Sequence, residues 1–107
     1  MAATGQEIKS IVGRYKNMLT RLGIDAERII LFGSYAQGTA TDYSDIDLIV
    51  ISNDFERMNL RERLEILGVA AAKIMKPIEA KGYTSSEITK VSPLNYISEA
   101  LKTGITF

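Results

Sequence analysis

A Gly-Ser pair at the end of one apolar run and an Asp-x-Asp triplet at the start of the next constrain the fold of this chain more than any other feature. Gly33 and Ser34 follow the run at 28–32, and Asp45 and Asp47 open a second run that reads Asp-Ile-Asp-Leu-Ile-Val-Ile. Residues two apart on a strand point to the same face, so the two carboxylates would lie side by side. A site that uses both the pair and the triplet requires the end of the first strand to lie beside the start of the second. We therefore predict two neighbouring antiparallel strands near the centre of a sheet.

The composition limits the kinds of chemistry that this chain can perform. With 107 residues, of which 46% are hydrophobic and 24% are charged, residues 1–107 are expected to form a single domain. The chain contains no cysteine and no histidine, which excludes disulfides, thiolate nucleophiles, imidazole bases and the common zinc sites. Acid–base chemistry therefore falls to carboxylates.

Charge and hydropathy indicate where the protein works and what it contacts. Thirteen basic and thirteen acidic residues cancel, so direct binding of nucleic acid is not expected. No apolar stretch approaches the roughly 20 residues that span a bilayer, so no membrane contact is expected either. We predict a cytoplasmic protein.

The remaining hydrophobic periodicity predicts helices and one further strand. Apolar residues recur at three- and four-residue intervals over 7–22 and over 60–75, as on one face of a helix. Gly23 and Pro77 are expected to end these two helices. A third strand is predicted over 78–84. Two shorter helices complete the set, one capped by Thr84 and Glu87 and one starting at Ser92 and Pro93.

Gly33 and Ser34 have a functional and an ordinary interpretation. Glycine adopts backbone conformations closed to other residues and lets a phosphate approach the main chain, and the serine hydroxyl can donate a hydrogen bond to it. A helix that begins here would add free amides facing the same anion. The ordinary interpretation is a strand-ending glycine followed by a serine N-cap. The pair alone does not distinguish the two.

Asp45 and Asp47 would be costly to hold side by side at the head of an apolar strand. Their mutual repulsion and desolvation would have to be offset by a cation or by hydrogen-bond donors. Magnesium suits hard carboxylate oxygens and triphosphates. The alternative is a solvated strand end or a turn cap, and Ser44 fits a local turn at this position.

Counting Gly38 with the pair and the triplet, five residues stand at fixed places, which would arise by chance about once in a million per position if each residue type has a frequency near 7%. At this spacing the residues resemble the nucleotidyltransferase superfamily related to DNA polymerase β, whose pattern is Gly-Ser, a short linker and then Asp-x-Asp. The chain is most similar to the smallest branch, the minimal nucleotidyltransferases. The resemblance is strongest over residues 28–52. It implies an α+β, two-layer fold with a small mixed β-sheet and helices packed mainly on one face.

The resemblance assigns the phosphates of a nucleotide to the glycine and serine residues. It implies that Gly33 and Ser34 hold the phosphates of ATP or another nucleoside triphosphate, and Ser44 is a further candidate for binding the nucleotide.

The resemblance assigns metal binding and catalysis to three carboxylates. Asp45 and Asp47 would hold two Mg²⁺ ions, and Glu79 on the third strand would complete the metal site or take the proton of the acceptor hydroxyl. The alternative for Glu79 is a surface glutamate paired with Lys81 or Lys76.

The implied reaction moves a nucleoside monophosphate, AMP from ATP, onto a hydroxyl acceptor with release of pyrophosphate. Because the chain has no room for an acceptor-binding domain, the resemblance implies a separate partner, namely a small helical HEPN-type protein of a toxin–antitoxin module. One alternative is a binding module or antitoxin that masks a helical partner without turnover. Another is a transferase for an antibiotic or other small molecule, whose pocket is completed in a homo-oligomer.

Overall fold

The computed structural model describes residues 2–90 and 95–107, which form a four-stranded sheet and the helices that cover it. The elements in chain order are α1 (Gly5–Arg21), β1 (Arg28–Phe32), α2 (Gly33–Gln37), β2 (Ile46–Ile51), a 3₁₀ turn (Asn53–Arg57), α3 (Leu60–Lys73), β3 (Ile78–Tyr83), α4 (Ser85–Thr89), α5 (Tyr96–Thr103) and β4 (Ile105–Thr106).

The sheet is mixed and has the strand order β3-β2-β1-β4. β1 is antiparallel to both β2 and β4, whereas β2 and β3 are parallel. The antiparallel pairing of the two apolar runs and their central position, both predicted from the sequence, are confirmed. The pairing places Phe32 opposite Asp47, and Asp47 opposite Glu79.

The long N-terminal helix forms where the periodicity predicts it. The Thr4 hydroxyl accepts a hydrogen bond from the amide of Glu7, and the Glu7 carboxylate accepts one from the amide of Thr4, which is a complete capping box. Gly23, at φ +94°, follows the helix in a conformation that glycine adopts without strain. One stripe of α1 is buried, and its residues are Ile8, Ile11, Val12, Tyr15 and Leu19.

The main core lies between the sheet and the layer formed by α1 and α3. Alternate residues of the strands, such as Leu31 and Leu48, pack there against Leu67 of α3 and the buried stripe of α1. The opposite face is covered by α5, whose Ile97 and Ala100 pack on apolar strand residues. These strand residues are Ile30, Ile49 and Ile51. Helices thus lie mainly on one face, in agreement with the predicted α+β class.

Two strand boundaries differ from the prediction. β2 begins at Ile46, so Asp45 precedes the strand by one residue. β3 ends at Tyr83, because Thr84 leaves the strand to cap α4, with the predicted capping box to Glu87. The predicted helix start at Ser92 and Pro93 lies outside the described residues.

The last helix and the last strand complete the described chain. α5 is capped by the Asn95 side chain, which accepts from the amide of Ile97 at 2.9 Å. β4 was not predicted, because a two-residue strand carries no periodicity. Within the part of the chain that the structure describes, none of the helices is both long and apolar enough to cross a membrane.

Candidate functional site

Gly33 occupies a position that accepts no side chain. Its φ is +71°, in the left-handed region that favours glycine. A Cβ atom built on Gly33 would collide with the Asp47 carboxylate, with Oδ2 as its nearest neighbour and Cγ at 3.1 Å. The end of β1 and the start of β2 thus bring the predicted phosphate residue and a predicted metal ligand into direct contact. Both the torsion and the space therefore require glycine here.

A helix begins at Gly33, as the phosphate-binding hypothesis expects. The N-cap of α2 is Phe32, whose side chain offers no acceptor, and Ser34 lies inside the first turn. The ordinary interpretation of Ser34 as an N-cap is therefore wrong. Within the described chain the Ser34 hydroxyl has no hydrogen-bond partner, so it is available to a ligand. The first-turn amides are likewise left without a capping side chain.

The three predicted carboxylates lie near the starts of β2 and β3 and act on one another electrostatically. Asp47 is half-buried, whereas Asp45 and Glu79 are exposed. Burial raises the pKa of Asp47, and the charges of Glu79 and Asp45 raise it further, while Lys81 opposes them. The structure thus places Asp45 and Glu79 near enough to Asp47 for their charges to act on it. The half-buried Lys81 adds a cation that the motif does not contain.

Ser44 is held in the turn that leads into β2. Its hydroxyl accepts a hydrogen bond from the amide of Thr41 at 2.8 Å, and its own amide donates to the Thr41 carbonyl at 3.1 Å. The turn fixes the direction in which the chain reaches Asp45. A role for Ser44 in binding the nucleotide stays a prediction.

The donor set fits magnesium in its chemistry. Asp45, Asp47 and Glu79 supply only hard carboxylate oxygens, which magnesium prefers. Among residues 2–90 and 95–107, however, no three acidic side chains converge closely enough to enclose an ion by themselves. Magnesium usually keeps several waters and shares substrate phosphates, so an incomplete protein cage is compatible with it. The metal-ligand assignments stay predictions.

The sequence profile of the nucleotidyltransferase domain family matches residues 12–102, which include the whole candidate site. The chain belongs to this family. The match confirms the relationship predicted from the Gly-Ser and Asp-x-Asp residues. It covers most of the nucleotidyltransferase domain described above, from α1 to α5.

Curated relatives of this nucleotidyltransferase domain are named as protein adenylyltransferases. One from Thermococcus cleftensis is 34% identical over 97 residues, which cover 82% of this chain and 93% of the relative. One from Methanocaldococcus jannaschii is 32% identical over 71 residues, covering 65% of this chain and 70% of the relative. A second protein of that organism is 50% identical over 40 residues, but the match spans 37% of this chain and only 27% of the relative.

Solved structures share the fold of this nucleotidyltransferase domain. A toxin–antitoxin structure with AMP-PNP superposes with a TM-score of 0.63 at 22% identity, covering 88% of this chain and 69% of that chain. A structure from Sulfolobus solfataricus described as a nucleotidyltransferase has a TM-score of 0.57 at 20% identity, covering 100% of this chain and 90% of that chain. At these identities the likeness establishes the fold.

Proposed function

We propose that this nucleotidyltransferase domain transfers AMP from ATP to a hydroxyl group on a partner protein, with Mg²⁺ as its cofactor. The contact between Gly33 and Asp47 carries the proposal, because it joins a phosphate cradle to a carboxylate that suits a metal. The placement of Glu79 beside Asp47 in the neighbouring strand supports it.

The choice of AMP and of a protein acceptor rests on the relatives. Proteins of two organisms that align with this chain are named as protein adenylyltransferases. A toxin–antitoxin of the same fold was solved with AMP-PNP. We infer a small helical HEPN-type partner that meets this chain in the cytoplasm and presents the hydroxyl.

The residues of the chain have separate tasks in this proposal. The amides of the first turn of α2 and the Ser34 hydroxyl bind phosphate oxygens. Asp45 and Asp47 hold Mg²⁺, which when bound would neutralise charge on the triphosphate. Glu79, which is exposed at the same edge, accepts the proton of the acceptor hydroxyl.

Transfer of label from ATP to the partner tests the proposal. The chain is incubated with Mg²⁺, the protein encoded by its neighbouring gene, and ATP labelled at either the α- or the γ-phosphate. We expect the α-label on the partner and the γ-label in pyrophosphate. Intact mass measurement should show the partner heavier by one AMP residue, and tandem mass spectrometry should place it on a hydroxyl side chain. Label from the γ-position on the partner would contradict nucleotidyl transfer.

The binding-module alternative is favoured by one observation, the exposure of Glu79 combined with the incomplete acidic cage. In that case the chain would bind its partner and ATP but leave the partner unlabelled. The same experiment separates the two functions, because a pull-down reports binding and the label reports turnover.

A further inference from the structure

A cavity of about 250 Å³ lies directly beside Gly33, between α2 and α5. It is lined by Phe32, Gly33, Gln37, Glu99, Ala100 and Thr103. The Gly-Ser and Asp-x-Asp residues give no hint of it, since its second wall comes from a helix more than sixty residues later in the chain.

This cavity lies on the same side of the sheet as the carboxylates. Ile49 packs on the face covered by α5, and Asp47, two residues earlier on β2, points to that face as well. Phe32 packs against the same α5 cluster. The cavity and the predicted metal ligands are therefore parts of one surface, on which Gly33 contacts both.

The order of residues across this surface places the cavity relative to the reacting groups. Glu79 on β3 lies beside Asp47 on β2, which contacts Gly33 at the end of β1, and the cavity follows beyond Gly33. With phosphates on the glycine cradle, the acceptor hydroxyl must approach from the side of Glu79. The cavity then lies on the opposite side of the phosphates, within reach of either the pyrophosphate, which leaves opposite the attacking hydroxyl in an in-line displacement, or the nucleoside.

The charge of the lining decides between the two ends of a nucleoside triphosphate. The six lining residues include no lysine or arginine, and they include the carboxylate of Glu99. A further phosphate group would be repelled there, whereas a carboxylate accepts hydrogen bonds from hydroxyl or amino groups. The Thr103 hydroxyl donates to the Glu99 carbonyl at 2.9 Å, so toward a ligand it is left as an acceptor.

The size and the apolar walls suit a ring of a nucleoside. A volume of about 250 Å³ equals that of about eight waters at roughly 30 Å³ each. That is below the roughly 300 Å³ at which pockets begin to take a whole drug-sized ligand. Phe32 and the buried Ala100 add apolar surface for a ring.

We propose that this cavity binds the nucleoside end of the nucleoside triphosphate, with Glu99 accepting a hydrogen bond from a hydroxyl or amino group of the nucleoside. The inference rests on the proposed function, since it presumes that phosphates occupy the cradle at Gly33. It adds a recognition residue from α5 to a site that otherwise consists of residues of α2, β2 and β3 and of the turn before β2.

Comparison of ATP with inorganic tripolyphosphate tests the inference. Both ligands are titrated calorimetrically into the chain in excess Mg²⁺, and the ratio of their dissociation constants isolates the nucleoside contribution. We expect ATP to bind more tightly than tripolyphosphate. The Glu99→Gln variant should lose roughly tenfold in affinity for ATP, as for a hydrogen bond to a charged group, while its affinity for tripolyphosphate stays or rises.

Two further variants show whether a change in the ratio comes from the cavity or from a general loss of negative charge. Glu65→Gln removes the same charge from an exposed position on α3 and should leave the ratio unchanged. Gln37→Ala changes the other wall of the cavity at an exposed position and should also reduce the ratio.

The outcomes separate this inference from the proposed function. Equal affinities for ATP and tripolyphosphate in the unmodified chain, or an unchanged ratio in both Glu99→Gln and Gln37→Ala, would overturn the inference and leave the phosphate cradle standing. Failure of the unmodified chain to bind either ligand would overturn the proposed function, and the inference with it.

Discussion

At the scale of single residues, Gly33 and Asp47 form the junction on which the site depends. Gly33 is required by its torsion and by the lack of space for a Cβ atom next to the Asp47 carboxylate. Asp47 in turn is half-buried beside two other carboxylates, which disfavours its charged form. Local strain and a disfavoured charge at adjacent positions are typical of functional sites, which agrees with the proposed binding of phosphate and metal here.

Replacing Gly33 by valine should impair both folding and phosphate binding. A β-branched residue at positive φ is strained by about 1–3 kcal/mol, and the collision with Asp47 adds to this. Urea unfolding should show a lower free energy of unfolding, and calorimetry a weaker affinity for tripolyphosphate. Gly13→Ala on the exposed side of α1, where a Cβ meets nothing within 4 Å, is the control and should be neutral or stabilising. A folded Gly33→Val variant with unchanged affinity would contradict the cradle.

Replacing both Asp45 and Asp47 by asparagine should abolish Mg²⁺-dependent ATP binding and leave the fold intact or slightly more stable. The expected gain in stability follows from the direction of the pKa shift of Asp47. Its pKa is raised in the folded state, so its charge at neutral pH opposes folding, and a neutral amide removes that opposition. Calorimetry with ATP and Mg²⁺, together with a thermal unfolding curve, measures both. Equal ATP binding before and after the change would show that the site is assigned wrongly.

At the scale of elements, the connections that lead into the site determine where its side chains lie. α3 ends in a Schellman motif, in which the amide of Met75 donates to Ala72 at 3.0 Å and that of Lys76 to Ala71 at 3.3 Å. Met75 has φ +57° and is, among the described residues, the only non-glycine residue with positive φ. This turn directs the chain into β3. Two residues after Met75, the carbonyl of Pro77 accepts a hydrogen bond from the amide of Ile46 in β2 at 2.8 Å. The helix end therefore sets the register that places Glu79 beside Asp47.

Replacing Met75 by glycine should stabilise the protein by about 1 kcal/mol, because a left-handed conformation costs an L-residue 1–2 kcal/mol and glycine almost nothing. The Met75 side chain is 86% exposed, so little packing is lost. Chemical denaturation measures the change. Met75→Ala keeps the strained conformation and serves as the control, and a stabilisation equal to that of glycine would exclude the torsional explanation.

Glu87, which lies in α4 shortly after β3, makes the stability of the protein depend on pH. The hydrogen bond from Arg63 is the main cause that lowers the pKa of Glu87 from its ordinary 4.5. A lowered acid pKa contributes stability that is fully present above the unfolded value and is lost as pH falls through the folded value. The difference in free energy of unfolding between wild type and Glu87→Gln should therefore shrink below about pH 4.5. The side chain is 42% exposed, so the effect is small. A difference that persists unchanged to pH 3 would contradict it.

At the scale of the whole molecule, two cores on opposite faces of one sheet hold the site at one edge. In the larger core, α1 and α3 pack on one face of the sheet. In the smaller core, α5 packs on the other face, which also carries Asp47. Away from the site, Arg63 connects α3 to the segment of the 3₁₀ turn, to β3 and to α4. It donates from Nη2 to the Phe55 carbonyl at 2.7 Å, from Nε to that of Met58 at 3.0 Å, and from Nη1 to that of Gly82 at 3.2 Å.

Replacing Arg63 by methionine should lower the free energy of unfolding by about 3 kcal/mol, because three carbonyls and Glu87 each lose the hydrogen bond that Arg63 donates. Arg63 is only 8% exposed, so water replaces little of what is lost. Arg61→Met is the matched control, since its ion pair with Glu65 is exposed and should change stability by less than about 1 kcal/mol. Equal effects of the two substitutions in urea unfolding would show that the buried hydrogen bonds of Arg63 do not contribute more to stability than an exposed ion pair.

The elements and the motif were predictable because their signals are local. The helix and strand periods and the capping boxes each lie within a short window of the chain. The same holds for the spacing of Gly33, Ser34, Asp45 and Asp47. The antiparallel pairing also followed, since only that arrangement lets the two motif segments share a site. These features were determined by the sequence itself.

The rest depended on contacts between distant segments. Nothing local places Glu79 opposite Asp47, gives Asp47 and Gly33 their contact, or brings Glu99 of α5 beside the cradle. Next to β4, Gly104 lies so close to Ile30 and Leu31 of β1 that a Cβ atom would collide with both. Such positions depend on how the layers pack and on strand register, which involve residues tens of positions apart. The sequence alone therefore determined which groups were present, and the tertiary structure decided which of them meet.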